Sequence, residues 1–411
     1  MKDQAQIVII GGGIVGAQIA YHLAKMGSTD VILVEKGDIA SESAAAVAGG
    51  ITSFMEMPNT SPPTLTIEEL NKKYARASNR AHANYAFYMG TSNDNLDDIR
   101  QLRPNDACGI KIFMGASTGN MLVDDPAVLS QIFGEAPILI ATHCEDTPTI
   151  LQNEARYREQ YGENVPFSEH PNIRSEEACY LSSSLAVDLA KKHGTRLHVL
   201  HLTTERELAL FDQGPVTSKQ ITAEVCVHHL WFDEGDYAEK GALIKCNPAI
   251  KKASDKAALR KAVKHDVLDV IATDHAPHTW DEKQGTYFNA PSGLPLVQHA
   301  MLSLLDFVHA GEFTLPQVVQ KTSHAVAECY GVVERGYLRE GYWGDLVLVD
   351  MDSSTDVTQE SLLYRCGWSP FMGHRFKSRI AATIVNGEIA WDGNAMCGAA
   401  GGQRLKFNQK F

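Results

Sequence analysis

The apolar positions of this chain form two alternating patterns, short β-branched runs and longer stretches with helical spacing. Seven runs after residue 50 have the length and composition of buried strands. They are Thr52–Met57, Tyr85–Tyr88, Ile110–Met114, Ile138–His143, Leu197–Leu202, Ile221–Val227 and Leu268–Asp274. Helical segments fall between them, for example Ser41–Ala48, Ile67–Ser78, Glu176–Lys192 and Lys256–Val263. Strands and helices that alternate in this way are typical of a parallel α/β fold.

The number of predicted strands indicates a barrel. Eight βα units close a (β/α)8 barrel of the TIM type. Val31–Val34, one helix before Thr52, is the run that could supply the eighth strand. We therefore predict that Val31–Val34 is the first barrel strand, with Glu35 at the rim.

The C-terminal part of the chain has a different pattern. After about Tyr330 the apolar runs are short, and one of them, Ile380–Val385, leads directly into Asn386-Gly387. Asn-Gly after an apolar alternation is a strong hairpin signal. We predict a barrel over residues 37–332 and a small β-rich subdomain over 333–411.

The first 36 residues predict a separate βαβ unit. A strand ending at Ile10 is followed by glycines, a helix over Val15–Met26 and the strand Val31–Val34. The candidate cofactor-binding residues are Gly11, Gly13, Gly16 and Glu35. Glycines at this turn let the backbone approach a pyrophosphate, and the acidic residue is placed for a ribose hydroxyl.

This N-terminal segment resembles the opening of FAD-dependent amino-acid oxidoreductases of the glycine and sarcosine oxidase kind. A nucleotide site needs further strands to hold the rest of the cofactor, and nothing after Lys36 continues the pattern. We therefore expect no bound FAD. The alternative to a cofactor site is an orphan βαβ unit that serves only in packing.

Composition and charge narrow the classes of partner. The 411 residues include 37 Lys and Arg against 50 Asp and Glu, which gives a net charge of −13. Such a balance argues against nucleic acid or an anionic membrane as the main partner.

No apolar run approaches the ~20 residues of a membrane span. The eight cysteines are scattered without a CxxC pair, as expected of reduced thiols, so we predict a cytoplasmic protein.

Four of the predicted strands carry a ligand-type residue at or beside their C-terminal ends. These residues are Lys111, His143, His201 and Asp274, at separations of 32, 58 and 73 residues. Strand ends of a barrel converge on one mouth. Each residue alone has an ordinary structural explanation, but two imidazoles and a carboxylate together are typical zinc ligands. The set predicts a metal site, whereas we interpret His228-His229, at another strand end, as structural.

Several sequence strings resemble dihydroorotases of the amidohydrolase superfamily, in the order in which that family has them. They are Lys36–Ser43, Met57–Thr60, Gly109–Phe113, Lys245–Pro248, Asp274–His278, Ser292–Pro295 and Cys366–Pro370. The match runs from about Lys36 to the end of the chain. The combination of Asp-His-Ala-Pro-His with Lys-x-Asn-Pro is specific to this resemblance.

The resemblance implies a zinc-dependent barrel that reversibly hydrolyses the cyclic amide of dihydroorotate to N-carbamoyl-aspartate in pyrimidine biosynthesis. It implies that Lys111 is carbamylated and bridges the metals, that His143 and His201 bind the second metal, and that Asp274 binds the first and shuttles a proton. The residues implied in substrate binding are Asn59, Asn247 and His278. Relatives of this kind often pair, so a homodimer is one expectation.

One departure from the family is large. Dihydroorotases open their barrel with His-x-His-x-Arg, and none of the sixteen histidines here has another two positions away. The chain therefore looks like a chimera, with residues 1–36 of an FAD enzyme in place of the dihydroorotase start. We expect one zinc rather than two and impaired catalysis. The alternatives are a catalytically silent chimera and an FAD-dependent oxidoreductase fragment.

Overall fold

Apolar runs pair with one another in parallel ladders. The computed structural model of the protein describes residues 7–10, 31–34, 39–115, 121–123 and 125–409. Its first ten strands are β1 (Ile7–Ile10), β2 (Val31–Val34), β3 (Ser53–Glu56), β4 (Asn84–Phe87), β5 (Met89–Gly90), β6 (Ile110–Phe113), β7 (Ile140–His143), β8 (Leu197–Val199), β9 (Ile221–Cys226) and β10 (Val270–Ala272). The ladder β5-β6-β7-β8-β9-β10 is parallel throughout. β4 pairs in parallel with β3 and continues through Tyr88 into β5.

All seven runs predicted after residue 50 form strands of this barrel, in the predicted order. Two of them end more than one residue earlier than predicted, at Val199 and Ala272. The chain leaves the extended conformation just beyond, where His201 and Asp274 adopt φ angles of 41° and 48°. Non-glycine residues with positive φ are uncommon and cluster at functional sites.

The prediction that Val31–Val34 is the first barrel strand is wrong. It pairs in parallel with Ile7–Ile10, from Ile7 opposite Val31 to Ile10 opposite Val34, in a separate two-stranded sheet. Both runs are continuously apolar, as parallel partners usually are, so they pair with each other. Within the described part of the chain, β3 pairs only with β4 and β10 only with β9, so these two strands lack a second barrel neighbour.

Helices cover the outside of the barrel. The α-helices are Ile39–Ala48, Ile67–Ala77, Leu96–Arg100, Pro126–Glu135, Thr147–Tyr161, His170–Ile173, Glu176–His193, Val227–Trp231, Tyr237–Lys240, Ala253–Lys264, Trp280–Lys283, Ala300–His309, Leu315–Val319 and Ala325–Tyr330. The longest begins where the Ser175 side chain accepts a hydrogen bond from the Ala178 amide, and it ends at Gly194 in the left-handed region. No described helix is both long and apolar enough to cross a membrane.

The C-terminal part contains the predicted antiparallel strands. They are β11 (Leu346–Asp350), β12 (Thr355–Asp356), β13 (Arg375–Phe376), β14 (Arg379–Val385) and β15 (Glu388–Trp391). β14 and β15 form the hairpin predicted from Asn386-Gly387, and both turn residues have positive φ, as a tight hairpin turn requires.

Residues after this sheet return to the bottom of the barrel. The side chain of Gln409 is buried there and accepts a hydrogen bond from the Leu139 amide at 3.0 Å. Its amide nitrogen donates to the carbonyl oxygen of Cys108 at 2.8 Å. Leu139 and Cys108 stand just before β7 and β6, so one glutamine satisfies backbone groups of two neighbouring strands.

Replacing Gln409 by alanine should lower the free energy of unfolding by about 2–3 kcal/mol, because an amide and a carbonyl are left buried without partners. Urea unfolding followed by circular dichroism measures this change. Gln359→Ala is the control, since Gln359 makes an exposed bond to the Gly367 carbonyl. Equal effects of the two substitutions would contradict the role given to Gln409.

Candidate metal and catalytic site

The four predicted ligand residues all lie at the C-terminal end of the barrel. Lys111 is on β6, His143 ends β7, and His201 and Asp274 follow β8 and β10 by two residues each. Lys111, His143 and His201 are at most 5% exposed. The four residues therefore lie at the same end of the barrel, as the positions of the strand ends predicted.

Two histidines form the closest pair in this group. His143 Nδ1 lies 3.1 Å from His201 Nε2, and His143 Nε2 lies 3.0 Å from a carboxylate oxygen of Glu145. An ionised carboxylate can only accept, so Nε2 of His143 donates and its Nδ1 carries a lone pair. Burial lowers the pKa of both imidazoles, and they stay neutral, as metal ligands must be.

Lys111 is buried between these residues without a carboxylate in contact. Burial lowers the pKa of its ammonium to about 8, although the charge of Asp274 opposes the shift. The nearest aromatic ring is that of Phe113, whose centroid lies 4.6 Å from the nitrogen. A lysine with such a pKa supplies a substantial fraction of free amine near neutral pH, which carbamylation requires.

Asp274 is the carboxylate of the group. Burial raises its pKa to about 7, while Lys111 partly opposes this effect and Glu224 adds to it. A carboxyl group that titrates near neutral pH can both accept and return a proton. This behaviour fits the shuttle role that the resemblance implies for Asp274.

Sequence reasoning missed an ion pair behind His143. Glu145 is fully buried and bonds both His143 and the guanidinium of Arg174. Burial alone would raise the pKa of Glu145, but Arg174 and His143 outweigh it and hold the pKa at about 2. A carboxylate behind a ligand histidine fixes its tautomer and orientation. The signal was available, because Glu145 is only two residues after His143 in the sequence.

The predicted substrate residues are only partly brought together. The side-chain oxygen Oδ1 of Asn247 is buried and has no hydrogen-bond partner. Nε2 of His278 donates to the Ser292 carbonyl at 3.1 Å. Asn59 is exposed in the loop after β3. Asn247 thus has a free acceptor for a ligand, whereas His278 is already engaged with the backbone.

A buried lysine that the sequence did not reveal holds the loops around the site. Lys283 donates to the carbonyl oxygens of Lys245, Pro291 and Gly293 at 2.9–3.3 Å. A Cβ on Gly293 would lie 2.4 Å from the carbonyl oxygen of Ala276, so this glycine permits close approach of the two loops. The segment 291–295 is thereby fixed against the Asp-His-Ala-Pro-His segment.

A contact of His275 links the Asp-His-Ala-Pro-His segment to the first described helix. His275 Nε2 lies 2.9 Å from a carboxylate oxygen of Glu42, on the first described helix. His275 Nδ1 accepts a hydrogen bond from the Leu296 amide at 2.9 Å. The residue next to Asp274 is therefore held from both sides.

Two predictions about other residues have different outcomes. The candidate cofactor-binding residues lie outside the described residues; they are Gly11, Gly13, Gly16 and Glu35.

His228 and His229, interpreted as structural, are buried beside Cys226, and three of their four ring nitrogens have no hydrogen-bond partner. Ordinary structural histidines are hydrogen-bonded, so that interpretation leaves these nitrogens unexplained.

The barrel agrees with what known proteins show. Residues 34–390 match the Amidohydrolase family. The chain belongs to this family. Its solved relatives share the fold, and the L-hydantoinase (dihydropyrimidinase) from Arthrobacter aurescens superimposes with a TM-score of 0.82 at 25% identity, over 90% of this chain and 83% of the other.

Sequence relatives of this amidohydrolase have more than one named activity. A dihydroorotase of Pyrococcus furiosus is 30% identical over 90% of this chain and 80% of its own length. An allantoinase of Bacillus velezensis is 28% identical over 87% of this chain and 80% of its own. The comparisons give no support to an FAD-enzyme segment or to a chimera.

Proposed function

We propose that this amidohydrolase catalyses the reversible hydrolysis of dihydroorotate to N-carbamoyl-aspartate, at a reduced rate. The observation that carries the proposal is the group of buried Lys111, His143 and His201 with half-buried Asp274 at one mouth of the barrel. The likeness to dihydroorotases supports the choice of ring. A hydantoinase or an allantoinase uses the same chemistry on another ring.

The residues fit one metal ion. Two nitrogens bound to a tetrahedral zinc lie about 3.3 Å apart, and the facing nitrogens of His143 and His201 are 3.1 Å apart. Glu145 supports His143 from behind, as carboxylates commonly support ligand histidines. Carbamylated Lys111 would be the third ligand. A zinc ion held there would act as a Lewis acid on the amide carbonyl and lower the pKa of a nearby water.

Side chains of the protein itself transfer the proton and bind the substrate ring. Asp274 accepts a proton from the attacking water and delivers it to the departing ring nitrogen, for which its pKa of about 7 is suited. Asn247 offers its unpaired Oδ1 to a ring N–H. Lys283 holds the 291–295 loop against the mouth of the barrel, where this loop would cover the substrate ring.

The reduced rate follows from what the sequence lacks. Without His-x-His-x-Arg, the first metal position lacks the two imidazole ligands that the motif supplies in the family, and the substrate carboxylate loses a guanidinium. A charge-assisted hydrogen bond contributes ~1.5–3 kcal/mol. Because each 1.36 kcal/mol in the barrier is about tenfold in rate, loss of this contact alone slows turnover by roughly 10–100-fold.

Assays of four substrates test the proposal. Purified protein with zinc should convert N-carbamoyl-aspartate and dihydroorotate into each other faster than a Lys111→Met variant, and should act more slowly on hydantoin and allantoin. A preference for hydantoin or allantoin would replace the proposed ring with that one. Turnover equal to that of a complete dihydroorotase would contradict the reduced rate.

A second candidate is a catalytically silent amidohydrolase, which the missing His-x-His-x-Arg motif favours. It predicts that no substrate is converted above the Lys111→Met background while zinc still binds. The remaining alternative, an FAD-dependent fragment, predicts flavin absorbance in the purified protein. An absorption spectrum and a metal analysis of the same sample distinguish these two outcomes.

A further inference from the structure

A cluster of three potential metal ligands lies at the end of β9, apart from the ligands named above. Cys226, His228 and His229 are 0%, 0% and 3% exposed. One ligand atom from each lies within 4.8 Å of the others. Among the described residues, this is the one such group of three or more His, Cys, Asp or Glu side chains.

The ring nitrogens of this cluster lack the partners that buried imidazoles normally have. Neither nitrogen of His228 has a hydrogen-bond partner, and neither does Nδ1 of His229. Nε2 of His229 lies 3.1 Å from the Pro248 carbonyl oxygen. Because a carbonyl only accepts, Nε2 carries the proton and Nδ1 has a free lone pair. A histidine whose other nitrogen donates to a backbone carbonyl is the usual form of a metal ligand.

We propose that Cys226, His228 and His229 bind a thiophilic transition-metal ion of the Zn²⁺ class. One sulfur and two imidazole nitrogens are a ligand set that such ions prefer. Binding releases the thiol proton of Cys226 to solvent, and the two neutral imidazoles supply lone pairs without losing a proton. Ligand atoms of one tetrahedral zinc lie about 3.3–3.8 Å apart, so the three must close by about 1 Å.

Cys246 lies beside this cluster but near the other nitrogen of the His229 ring. Its sulfur is 3.9 Å from Nε2, which donates to the Pro248 carbonyl, and the same thiol contacts that carbonyl at 3.3 Å. The proposed ligand set is therefore Cys226, His228 and His229.

This site uses different residues from the proposed hydrolytic centre, although His229 lies near enough to His201 to help lower its pKa. Its ligands are Cys226, His228 and His229, whereas Lys111, His143 and His201 include no sulfur. A sulfur ligand therefore gives a signal that the catalytic centre cannot give. Cobalt(II) bound by a thiolate absorbs in the near ultraviolet through sulfur-to-metal charge transfer, and this band reports the new site alone.

The test is cobalt titration of the metal-free, full-length protein. The expected result is a thiolate charge-transfer band that saturates by two cobalt ions per chain, since the catalytic centre also takes one, is lost in Cys226→Ser and persists in Lys111→Met. Cys108→Ser is the matched control, because Cys108 is equally buried but precedes β6 at the opposite end of the barrel. This control should keep the band.

Three results would overturn the proposal. The first is the absence of a charge-transfer band in the unsubstituted protein at saturating cobalt, which needs no variant. The second is a band that survives in Cys226→Ser. If that variant does not fold, His228→Phe serves instead, and an unchanged cobalt affinity in it is the third. Loss of hydrolysis with the band intact would count against the proposed function only.

Discussion

Replacing Lys111 by methionine should reduce dihydroorotate turnover to background. The substitution keeps the volume of the side chain but removes the amine that carbamylation needs, and with it one of three metal ligands. A metal ion contributes several kcal/mol of transition-state stabilisation, which corresponds to a loss of roughly 1,000-fold. Zinc analysis should show one equivalent less per chain than in the unsubstituted protein.

The same substitution should make the metal-free protein more stable. In the unfolded chain Lys111 has an ordinary pKa near 10.5, and in the folded protein its pKa is about 8. Below pH 8 the folded state therefore carries an ammonium that costs about 3 kcal/mol. This cost disappears as the pH rises from 8 towards 10.5, because the unfolded state then binds more protons, so the advantage of methionine should shrink over that range.

Urea unfolding of the metal-free proteins at pH 7 measures the effect. Lys219→Met is the control, because the Lys219 side chain is 4% exposed but pairs with Asp269 at 2.7 Å, and its loss removes the counter-charge of that carboxylate. We expect Lys111→Met to be more stable than the unsubstituted protein and Lys219→Met to be less stable. An active or destabilised Lys111→Met variant would refute the role given to this lysine.

Arg174→Ala should destabilise the protein by about 3–5 kcal/mol, because it leaves the fully buried carboxylate of Glu145 without its guanidinium. The control is Arg206→Ala, whose ion pair with Glu177 is exposed and should leave stability nearly unchanged. Thermal or urea unfolding of both variants gives the comparison.

A second variant separates the charge from the packing. Glu145→Gln combined with Arg174→Ala should recover much of the lost stability, since the buried charge is gone. Glu145→Gln alone should weaken zinc binding by roughly 10–100-fold, because His143 loses the carboxylate that orients it. No difference between Arg174→Ala and Arg206→Ala would show that Glu145 does not depend on its buried partner.

Sequence patterns predicted the barrel well because its determinants are local. A β-branched run before a ligand-type residue marks a strand end, so the sequence alone places Lys111, His143, His201 and Asp274 at strand ends. The assignment of Val31–Val34 failed for the opposite reason. Its apolar pattern suits a barrel strand and a two-stranded sheet equally, and only the partner Ile7–Ile10 decides between them.

Residues that act through long-range contacts were beyond sequence reasoning. Arg174 stands between two helices and Lys283 ends a short helix, and neither has a distinguishing sequence pattern around it. Their roles depend on the Glu145 carboxylate, 29 positions from Arg174, and on the Lys245 carbonyl, 38 positions from Lys283. The histidines His228 and His229 were correctly placed at a strand end. Their missing hydrogen-bond partners, however, are visible only when every surrounding atom is known.

The position of Gln409 constrains when this barrel can finish folding. Its two hydrogen bonds join residues 270 and 301 positions apart. During synthesis, the strands β6 and β7 leave the ribosome long before Gln409 does. Since chains emerge at ~5–20 residues per second, these backbone groups wait for roughly fifteen seconds to a minute. We therefore expect a nascent barrel with an open underside that chaperones can recognise, and closure only after the tail has emerged.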